Sequence, residues 1–253
     1  KRVIEDYVDQ VCLALNYLCD TEIDFLTAEQ KHRFFEDTYH SYGQPALMLS
    51  GGATLGLFHV GVCKALHERN LLPKVISGSS AGSLVTGMLG THNDEELVKM
   101  YDGEGFYHHA WTWKKMREGL LGQGFAEQKQ LEHFVRNNIG EYTFEEAFAK
   151  TGRHINVTVS PVQAHKARLM NELTSPYLLV WSAALASCAV PILFPAVTLT
   201  AKNYQGEYHP YMPAKQWVDG SVRSDLPRQR LARLFNVNYF IASQVNPHIV
   251  PFM

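Results

Sequence analysis

The first 43 residues have the hydrophobic spacing of two helices. Thr27 followed by Gln30 matches a capping box and predicts that the second helix begins there and runs to about His40. In the first helix, apolar side chains recur three or four positions apart, at Val3, Tyr7, Val8, Val11, Leu15 and Leu18. Because these helices precede the first strand, we expect an N-terminal helical extension over residues 1–43 and one catalytic domain over residues 44–253.

After this extension, short apolar runs alternate with segments of helical period. The runs typical of buried strands are Ala46–Ser50, Lys74–Ser77, His154–Ser160, Trp217–Val218 and Tyr239–Ser243. The helices lie between or beside them, over Leu57–Asn70, from Ala81 to about Leu89, from Asp94 onward and over Pro227–Phe235. Strands that alternate with helices favour a mainly parallel sheet, so the pattern predicts an α/β fold.

The segment Leu173–Ala201 contains no charged residue and is long enough to span a bilayer. Pro176, Pro191 and Pro195 interrupt it, and proline breaks a soluble helix and needs special accommodation in a membrane helix. We therefore predict a buried helix over about Tyr177–Ala189, then a turn and a strand. A membrane span is the alternative.

Composition narrows the functional classes. The 253 residues are 46% hydrophobic, enough for one large domain or two small ones and too apolar for a disordered chain. The 23 basic and 25 acidic residues nearly cancel, and no long basic run is present, which argues against nucleic acid as a partner. Cys12, Cys19, Cys63 and Cys188 lack metal-type spacing, so we expect reduced thiols in a reducing compartment and no metal.

The strongest chemical signal is the segment Gly78–Gly82, which has the Gly-x-Ser-x-Gly pattern of a nucleophile elbow. The turn between strand and helix is so tight that the residues two before and two after the nucleophile must be very small. This frame places Ser80, rather than Ser79, at the apex, where the N-terminus of the next helix faces a developing oxyanion. The alternative is a small-residue turn without chemistry.

A second glycine-rich loop, Ser50–Gly56, also links a strand to a helix and offers free backbone N–H groups to an anion. A nucleotide site is one interpretation, but position 53 is alanine and Leu71–Ile76 lacks the acidic residue of a dinucleotide fold. The other interpretation is an oxyanion hole at Gly51, Gly52 and Ala53, with the Gly52 and Ala53 N–H groups as donors.

The third signal is Asp219, which follows the short predicted strand and precedes Gly220 and Ser221. An acid at this place suits a carboxylate that points into a site. Taken alone it fits an ordinary Asp-Gly turn equally well.

Together these motifs resemble the patatin-like phospholipase family, whose pattern is a glycine loop, Gly-x-Ser-x-Gly and Asp-Gly-Gly/Ala. The segment Ala186–Pro195 also looks like the family's Ala-Ser-x-Ala-x-Pro segment. The resemblance covers about Ala46–Pro247. It implies a three-layer α/β fold with helices on both faces of the sheet, a Ser80–Asp219 dyad, an acyl-enzyme intermediate and no cofactor.

The departures from that pattern are Ala53 for the third glycine, Leu55 for the common basic residue and Ser221 for the final Gly or Ala. A loop without the basic residue, preceded by helices, looks like the branch that contains plant and yeast triacylglycerol lipases. The resemblance therefore implies an intracellular hydrolase of acylglycerols, peripheral on a membrane or lipid droplet. The alternatives are a phospholipase A or lysophospholipase, and a catalytically silent lipid-binding or acyl-transfer protein.

Histidine leaves a rival mechanism open. Ser80, Asp219 and His248 have the chain order of an α/β-hydrolase triad. His59, on the helix after the glycine loop, is interpreted as a packing or hydrogen-bonding residue.

The segment Phe106–Arg117 combines aromatic and basic residues, including Trp111 and Trp113. Such residues together suit a lipid interface. We expect this segment and the glycines that follow it, Gly119, Gly122 and Gly124, to form a mobile cover near the site. A partly buried surface helix is the alternative.

Overall fold

The computed structural model describes residues 1–104, 124–163, 166–191 and 194–246. Its contacts divide the chain into two compact units, Lys1–Gln44 and Pro45–Met253. The first unit consists of helix α1 (Arg2–Asp20) and helix α2 (Ala28–Tyr42). At the start of α2 the Thr27 hydroxyl accepts the Gln30 N–H, and the Gln30 side chain accepts the Thr27 N–H. The predicted capping box is confirmed.

The second unit is built around a sheet with the strand order β4-β3-β2-β1-β8, and β7 also pairs with β3. Strands β1 and β2 are parallel, with Ala46 beside Val75, and β2 and β3 are parallel as well. A separate hairpin is formed by β5 and β6. The strand bounds are β1 Gln44–Leu49, β2 Val75–Gly78, β3 His154–Pro161, β4 Arg168–Met170, β5 Leu199–Lys202, β6 Tyr208–Tyr211, β7 Trp217–Asp219 and β8 Val237–Ser243.

Helices connect the strands and cover both faces of the sheet. One face of β1 and β2, with Leu47, Leu49 and Ile76, joins a large core with α3, α4 and α8. The opposite face, with Ala46 and Met48, packs with α10. The helix bounds are α3 Phe58–His67, α4 Ala81–Thr91, α5 Asp94–Tyr101, α6 Gly124–Ile139, α7 Phe144–Thr151, α8 Val180–Ser187, α9 Ser221–Ser224 and α10 Arg228–Phe235, and a 3₁₀ turn covers Ala53–Leu57 before α3.

The predicted α/β class is confirmed, but the sheet is parallel only in its centre. β4 and β7 both run antiparallel to β3. Each has three residues. The hydrophobic pattern of a strand shows which face is buried, but not whether the strand runs parallel or antiparallel to its neighbour. The direction of such short strands is set by the partner that takes up their backbone hydrogen bonds.

The uncharged segment forms a buried helix, as predicted, although α8 begins at Val180 rather than Tyr177. The residues before it are extended because Leu178 forms a bridge with Ala201 and the Leu179 N–H donates to the Thr200 carbonyl. Within the described ranges, no helix has the length and apolar character that a membrane span requires.

Candidate active site

Three of the predicted motifs meet at one edge of the sheet. Because β1 and β2 are parallel neighbours, the glycine loop and the elbow leave the sheet side by side, and the Ser79 N–H donates to the Leu49 carbonyl at 3.2 Å. A Cβ placed on Gly51 would lie 3.3 Å from the Cβ of Ser80 and 3.1 Å from that of Ser221. The loop, the elbow and the segment after β7 are therefore in van der Waals contact.

The elbow has the shape that its glycines predict. Ser80 has φ 48° and ψ −122°, a conformation that costs a non-glycine residue roughly 1–3 kcal/mol. A Cβ on Gly78 would lie 2.2 Å from the Gly82 carbonyl oxygen, and one on Gly82 would lie 2.3 Å from the Leu49 carbonyl oxygen. Only glycine fits either position. Ser80 is the residue just before α4, so the N-terminus of that helix, which carries the positive end of the helix dipole, points toward the space around the Ser80 hydroxyl.

Ser187 holds the apex of the elbow from the opposite side. Its hydroxyl accepts the Ser80 N–H at 2.8 Å and donates to the Thr158 carbonyl at 2.7 Å. The Ser80 N–H is thus already engaged. Sequence analysis noted the segment around Ser187 as a motif but missed this contact, because nothing in the spacing shows that the C-terminus of α8 reaches the elbow.

Asp219 ends β7 beside the elbow and is only 2% exposed. Burial raises the pKa of its carboxyl group, and hydrogen bonding by the Ser221 N–H and by the Ser221 and Ser80 hydroxyls opposes that rise. The Ser221 N–H donates to Asp219 Oδ1 at 2.7 Å. A Cβ on Gly220 would lie 2.3 Å from the Thr158 carbonyl oxygen, so the residue after the acid must be glycine.

Cys188 is the other potential nucleophile in this part of the core. Burial and the charge of Asp219 both raise the pKa of its thiol, which keeps the sulfur protonated and unreactive. Its sulfur lies 3.9 Å from the Ser83 hydroxyl. The Ser80 hydroxyl, by contrast, hydrogen-bonds to the Asp219 carboxyl group.

The backbone N–H groups of the glycine loop differ in their hydrogen bonding. The Gly51 N–H donates to Asp225 Oδ1 at 2.8 Å, so Gly51 belongs to the loop without offering its own N–H to an oxyanion. Among the described residues, the N–H groups of Gly52 and Ala53 have no acceptor. Ala53 has φ 48°, a second strained non-glycine position next to Ser80.

His59 is buried beneath the loop and makes two hydrogen bonds. Its Nε2 lies 2.9 Å from the Ser50 carbonyl oxygen and its Nδ1 lies 2.8 Å from the Ser243 hydroxyl. Since a carbonyl only accepts, Nε2 donates and Nδ1 accepts. Burial lowers the pKa of His59, which favours this neutral form. The interpretation of His59 as a hydrogen-bonding residue is confirmed.

Comparison with known proteins gives the family. Residues 47–232 match the model of the patatin-like phospholipases. The chain belongs to this family. It is 41% identical to triacylglycerol lipase SDP1L of Arabidopsis thaliana, over 100% of this chain and 34% of that protein. It is 39% identical to triacylglycerol lipase 4 of Saccharomyces cerevisiae, over 100% of this chain and 29% of that protein.

The chain thus spans about a third of the length of the curated relatives that it matches. Among solved structures, VipD from Legionella pneumophila covers 79% of this chain and 49% of its own, with 16% identity and a TM-score of 0.46. The type III effector ExoU covers 59% of this chain and 42% of its own, with 20% identity and a TM-score of 0.37.

Within this patatin-like domain, some predicted site residues lie outside the described ranges. They are His248, Trp111 and Trp113, together with the remainder of Phe106–Arg117 and the glycines Gly119 and Gly122. Gly124 is described as the first residue of α6. The triad alternative and the aromatic cover stay predictions.

Asp225 is a second residue that sequence analysis missed. It follows α9, and its carboxylate and backbone carbonyl contact both the glycine loop and the elbow. Its position six residues after Asp219 carries no motif of its own. Among the described residues, no group of three or more His, Cys, Asp or Glu side chains is placed to hold a metal ion.

Proposed function

We propose that this chain is a serine hydrolase that cleaves the ester bonds of triacylglycerols or related acylglycerols. The observation that carries the proposal is the pairing of Ser80, strained and 7% exposed at the tip of the elbow, with the buried carboxylate of Asp219. A hydroxyl and a base in contact, beside unoccupied backbone donors, form the constellation that acyl transfer requires.

In the proposed first half-reaction, ionised Asp219 accepts the proton of the Ser80 hydroxyl while Oγ attacks the ester carbonyl. The Gly52 and Ala53 N–H groups stabilise the oxyanion of the tetrahedral intermediate. When that intermediate collapses, the bond to the alcohol oxygen breaks and protonated Asp219 returns the proton to the leaving alcohol. The product is an acyl ester on Ser80.

In the second half-reaction, Asp219 accepts a proton from a water molecule, which attacks the acyl-enzyme carbonyl. The second tetrahedral intermediate expels Ser80, which recovers its proton from Asp219, and the carboxylic acid is released. The raised pKa of Asp219 supports this role because a more basic carboxylate is a better proton acceptor for an alcohol.

The surface beside the glycine loop supports a neutral lipid as the substrate. From Ser41 to Cys63 the sequence contains no Asp, Glu, Lys or Arg. Leu55, Leu57 and Phe58 are among its exposed apolar side chains, and Phe58 is 69% exposed. Because the Leu55 N–H donates to the Gly52 carbonyl, this surface is continuous with the proposed oxyanion loop. We propose that it contacts the lipid surface from which an acylglycerol enters.

The names of the relatives point the same way, since two of them are called triacylglycerol lipases. By the same analogy we propose that the protein acts inside the cell, peripheral to a membrane or lipid droplet. Phospholipase activity is the second candidate, and the family name supports it.

A fluorophosphonate probe tests the central claim. We expect the folded chain to be labelled and Ser80→Ala to lose the label. Ser77→Ala is a matched control because the Ser77 hydroxyl is buried without a hydrogen-bond partner in the described structure, so labelling should be unchanged. A folded chain that does not label, or a label that survives Ser80→Ala, refutes the proposal.

A matched panel of triacylglycerol, diacylglycerol, monoacylglycerol and phosphatidylcholine decides the substrate class. We expect the acylglycerols to be hydrolysed faster than phosphatidylcholine, and the reverse order would favour the phospholipase candidate. Activity that survives His248→Ala would remove the triad alternative. If Trp111 and Trp113 form the proposed cover, replacing both weakens liposome binding more than hydrolysis of a soluble ester.

A further inference from the structure

Asp225 connects three segments around the proposed site. Its Oδ1 accepts the Gly51 N–H at 2.8 Å, and its Oδ2 accepts the Asn246 side-chain N–H at 2.7 Å. Its backbone carbonyl accepts the Ser79 hydroxyl at 2.8 Å. One residue thereby joins the glycine loop, the residue before the proposed nucleophile and the segment that follows β8.

We propose that Asp225 is a positioning residue for the hydrolysis proposed above. Its carboxylate fixes Gly51, and through it the two following N–H groups, in the orientation that binds the oxyanion formed at Ser80. The inference rests on the proposed function. It assigns Asp225 no contact with the substrate, since both of its carboxylate oxygens are bonded to the protein.

The glycine loop needs such a clamp because it holds little of its own structure. Gly51 and Gly52 have no side chains, and Ala53 is in a strained left-handed conformation. The loop is instead fixed by contacts from distant parts of the chain. Beyond Asp225, the Val245 N–H donates to the Ser50 hydroxyl at 2.9 Å, and the Ser50 N–H donates to the Ser243 carbonyl at 3.0 Å.

The surroundings of Asp225 make its charged form costly. Burial raises the pKa of its carboxyl group, the Gly51 N–H opposes that rise, and the negative charge of Asp219 raises it further. The side chains of Asn246 and Gln244 also donate to it and favour the charged form. Asp225, a half-buried second acid beside Asp219, is thus stabilised by the bonds that it makes to the glycine loop and to the segment after β8.

The bonding pattern predicts a specific pair of complementary changes. Asp225 accepts at both oxygens, whereas asparagine accepts at one and donates at the other. In Asp225→Asn, the new amide N–H₂ would face the Asn246 N–H₂. In the double variant with Asn246→Asp, the amide introduced at position 225 donates to the new carboxylate and still accepts the Gly51 N–H. The clamp is then rebuilt with its donors and acceptors exchanged.

The experiment compares the unmodified chain, the two single variants and the double variant. Hydrogen exchange of the peptide that contains Gly51–Ala53 measures the order of the loop, independently of any activity. Turnover of p-nitrophenyl butyrate gives kcat and KM separately. Asn246→Ala is added as a milder variant that removes one bond only, in case Asp225→Asn does not fold.

We expect Asp225→Asn to speed exchange of the loop and to lower kcat between about 10- and 100-fold, because a small displacement of an oxyanion donor is costly. KM should stay within about threefold, since the lost interaction acts on the transition state. Asn246→Ala should give a smaller loss of the same kind. The double variant should recover kcat to within about threefold of the unmodified chain, as expected for two coupled groups.

Unchanged loop exchange in folded Asp225→Asn refutes the clamp, as does a double variant no better than the worse single one. A rise in KM at constant kcat would also refute it. If the unmodified chain neither labels nor turns over, while loop exchange responds to the swap as expected, the proposed hydrolysis is wrong and the structural clamp is right. The two failures are therefore distinguishable.

Discussion

Two strand-to-helix turns lie side by side at the end of β1 and β2, yet they are held in different ways. The elbow around Ser80 is fixed by steric exclusion, because Gly78 and Gly82 each lie against a backbone carbonyl that leaves no room for a Cβ. The glycine loop is fixed by hydrogen bonds to Asp225, 174 positions away, and to the nearby His59. The elbow shape follows mainly from the small residues of a five-residue motif packed against β1, whereas the loop shape depends on hydrogen bonds to residues up to 195 positions away.

This difference separates the proposed nucleophile from the N–H groups proposed to stabilise its intermediate. Ser80 is presented by a turn that backbone packing makes rigid. The proposed oxyanion donors sit in a loop whose order depends on the segments after β7 and β8. We therefore expect changes at the elbow to damage the fold and changes around the loop to damage the chemistry first.

Asp219→Asn should have the largest effect, which is a loss of turnover. Turnover should fall by about 10³-fold because an amide cannot accept the Ser80 proton. Since burial raises the pKa of Asp219, the stability that the protonated form contributes is present below the ordinary aspartate pKa and lost as pH rises through the raised value. The variant should therefore melt at a higher temperature than the unmodified chain near neutral pH, but not at about pH 4.

Thermal melts at both pH values and steady-state rates check this prediction. The kcat/KM of the unmodified chain should rise with pH along a limb whose midpoint lies above the ordinary aspartate pKa. Asp37→Asn, at an exposed position in α2, is the control and should alter neither readout. Turnover of Asp219→Asn within about tenfold of the unmodified chain would require another base.

Gly82→Ala should have the largest effect on the fold. Its Cβ would lie 2.3 Å from the Leu49 carbonyl oxygen, and backbone cannot move aside as a side chain can. We expect a loss of at least about 3 kcal/mol in the free energy of unfolding, measured by urea denaturation.

Gly61→Ala is the matched control, because a Cβ on this residue of α3 meets no atom within 4 Å. The same change should there stabilise the chain by roughly 0.5–1 kcal/mol. Similar losses at both positions would mean that the elbow is not fixed by steric exclusion.

Gly52→Ala should be less damaging to the fold, because the closest atom to its Cβ would be the Val245 Cγ2 at 2.5 Å, with the Val245 carbonyl oxygen farther away at 3.1 Å. We expect a loss of about 1–2 kcal/mol in stability and a larger proportional loss in kcat. Adding Val245→Ala should recover part of the stability, since the clash is with a side chain. A Gly52→Ala variant as unstable as Gly82→Ala would erase the distinction between the two turns.

Ser243→Ala should have the smallest effect. It removes the hydroxyl that donates to His59 Nδ1 while His59 Nε2 keeps its bond to Ser50. We expect a loss of about 1 kcal/mol, the usual value for one hydrogen bond, measured by the same denaturation. Faster hydrogen exchange should be confined to the loop, and a change spread over the elbow peptide would contradict the comparison.

The elements that sequence analysis predicted well are those whose cause is local. The capping box at Thr27, the Gly-x-Ser-x-Gly pattern of the elbow and the apolar runs of β1 and β2 can each be recognised from residues within a few positions of one another. It missed strand β4 and the antiparallel direction of both β4 and β7, which depend on a partner elsewhere in the chain. The three-residue strands β4 and β7 take their direction from β3.

The site shows the same contrast between features with local causes and features that depend on distant residues. The sequence by itself determined that an elbow follows β2, that a glycine loop follows β1 and that an acid lies at the end of β7, because steric and backbone rules act over short spans. Only the tertiary structure decided that the Gly51 N–H bonds Asp225, that Ser187 holds the Ser80 N–H and that His59 joins Ser50 to Ser243. Hydrogen bonds across such sequence separations depend on where the whole sheet places its strand ends.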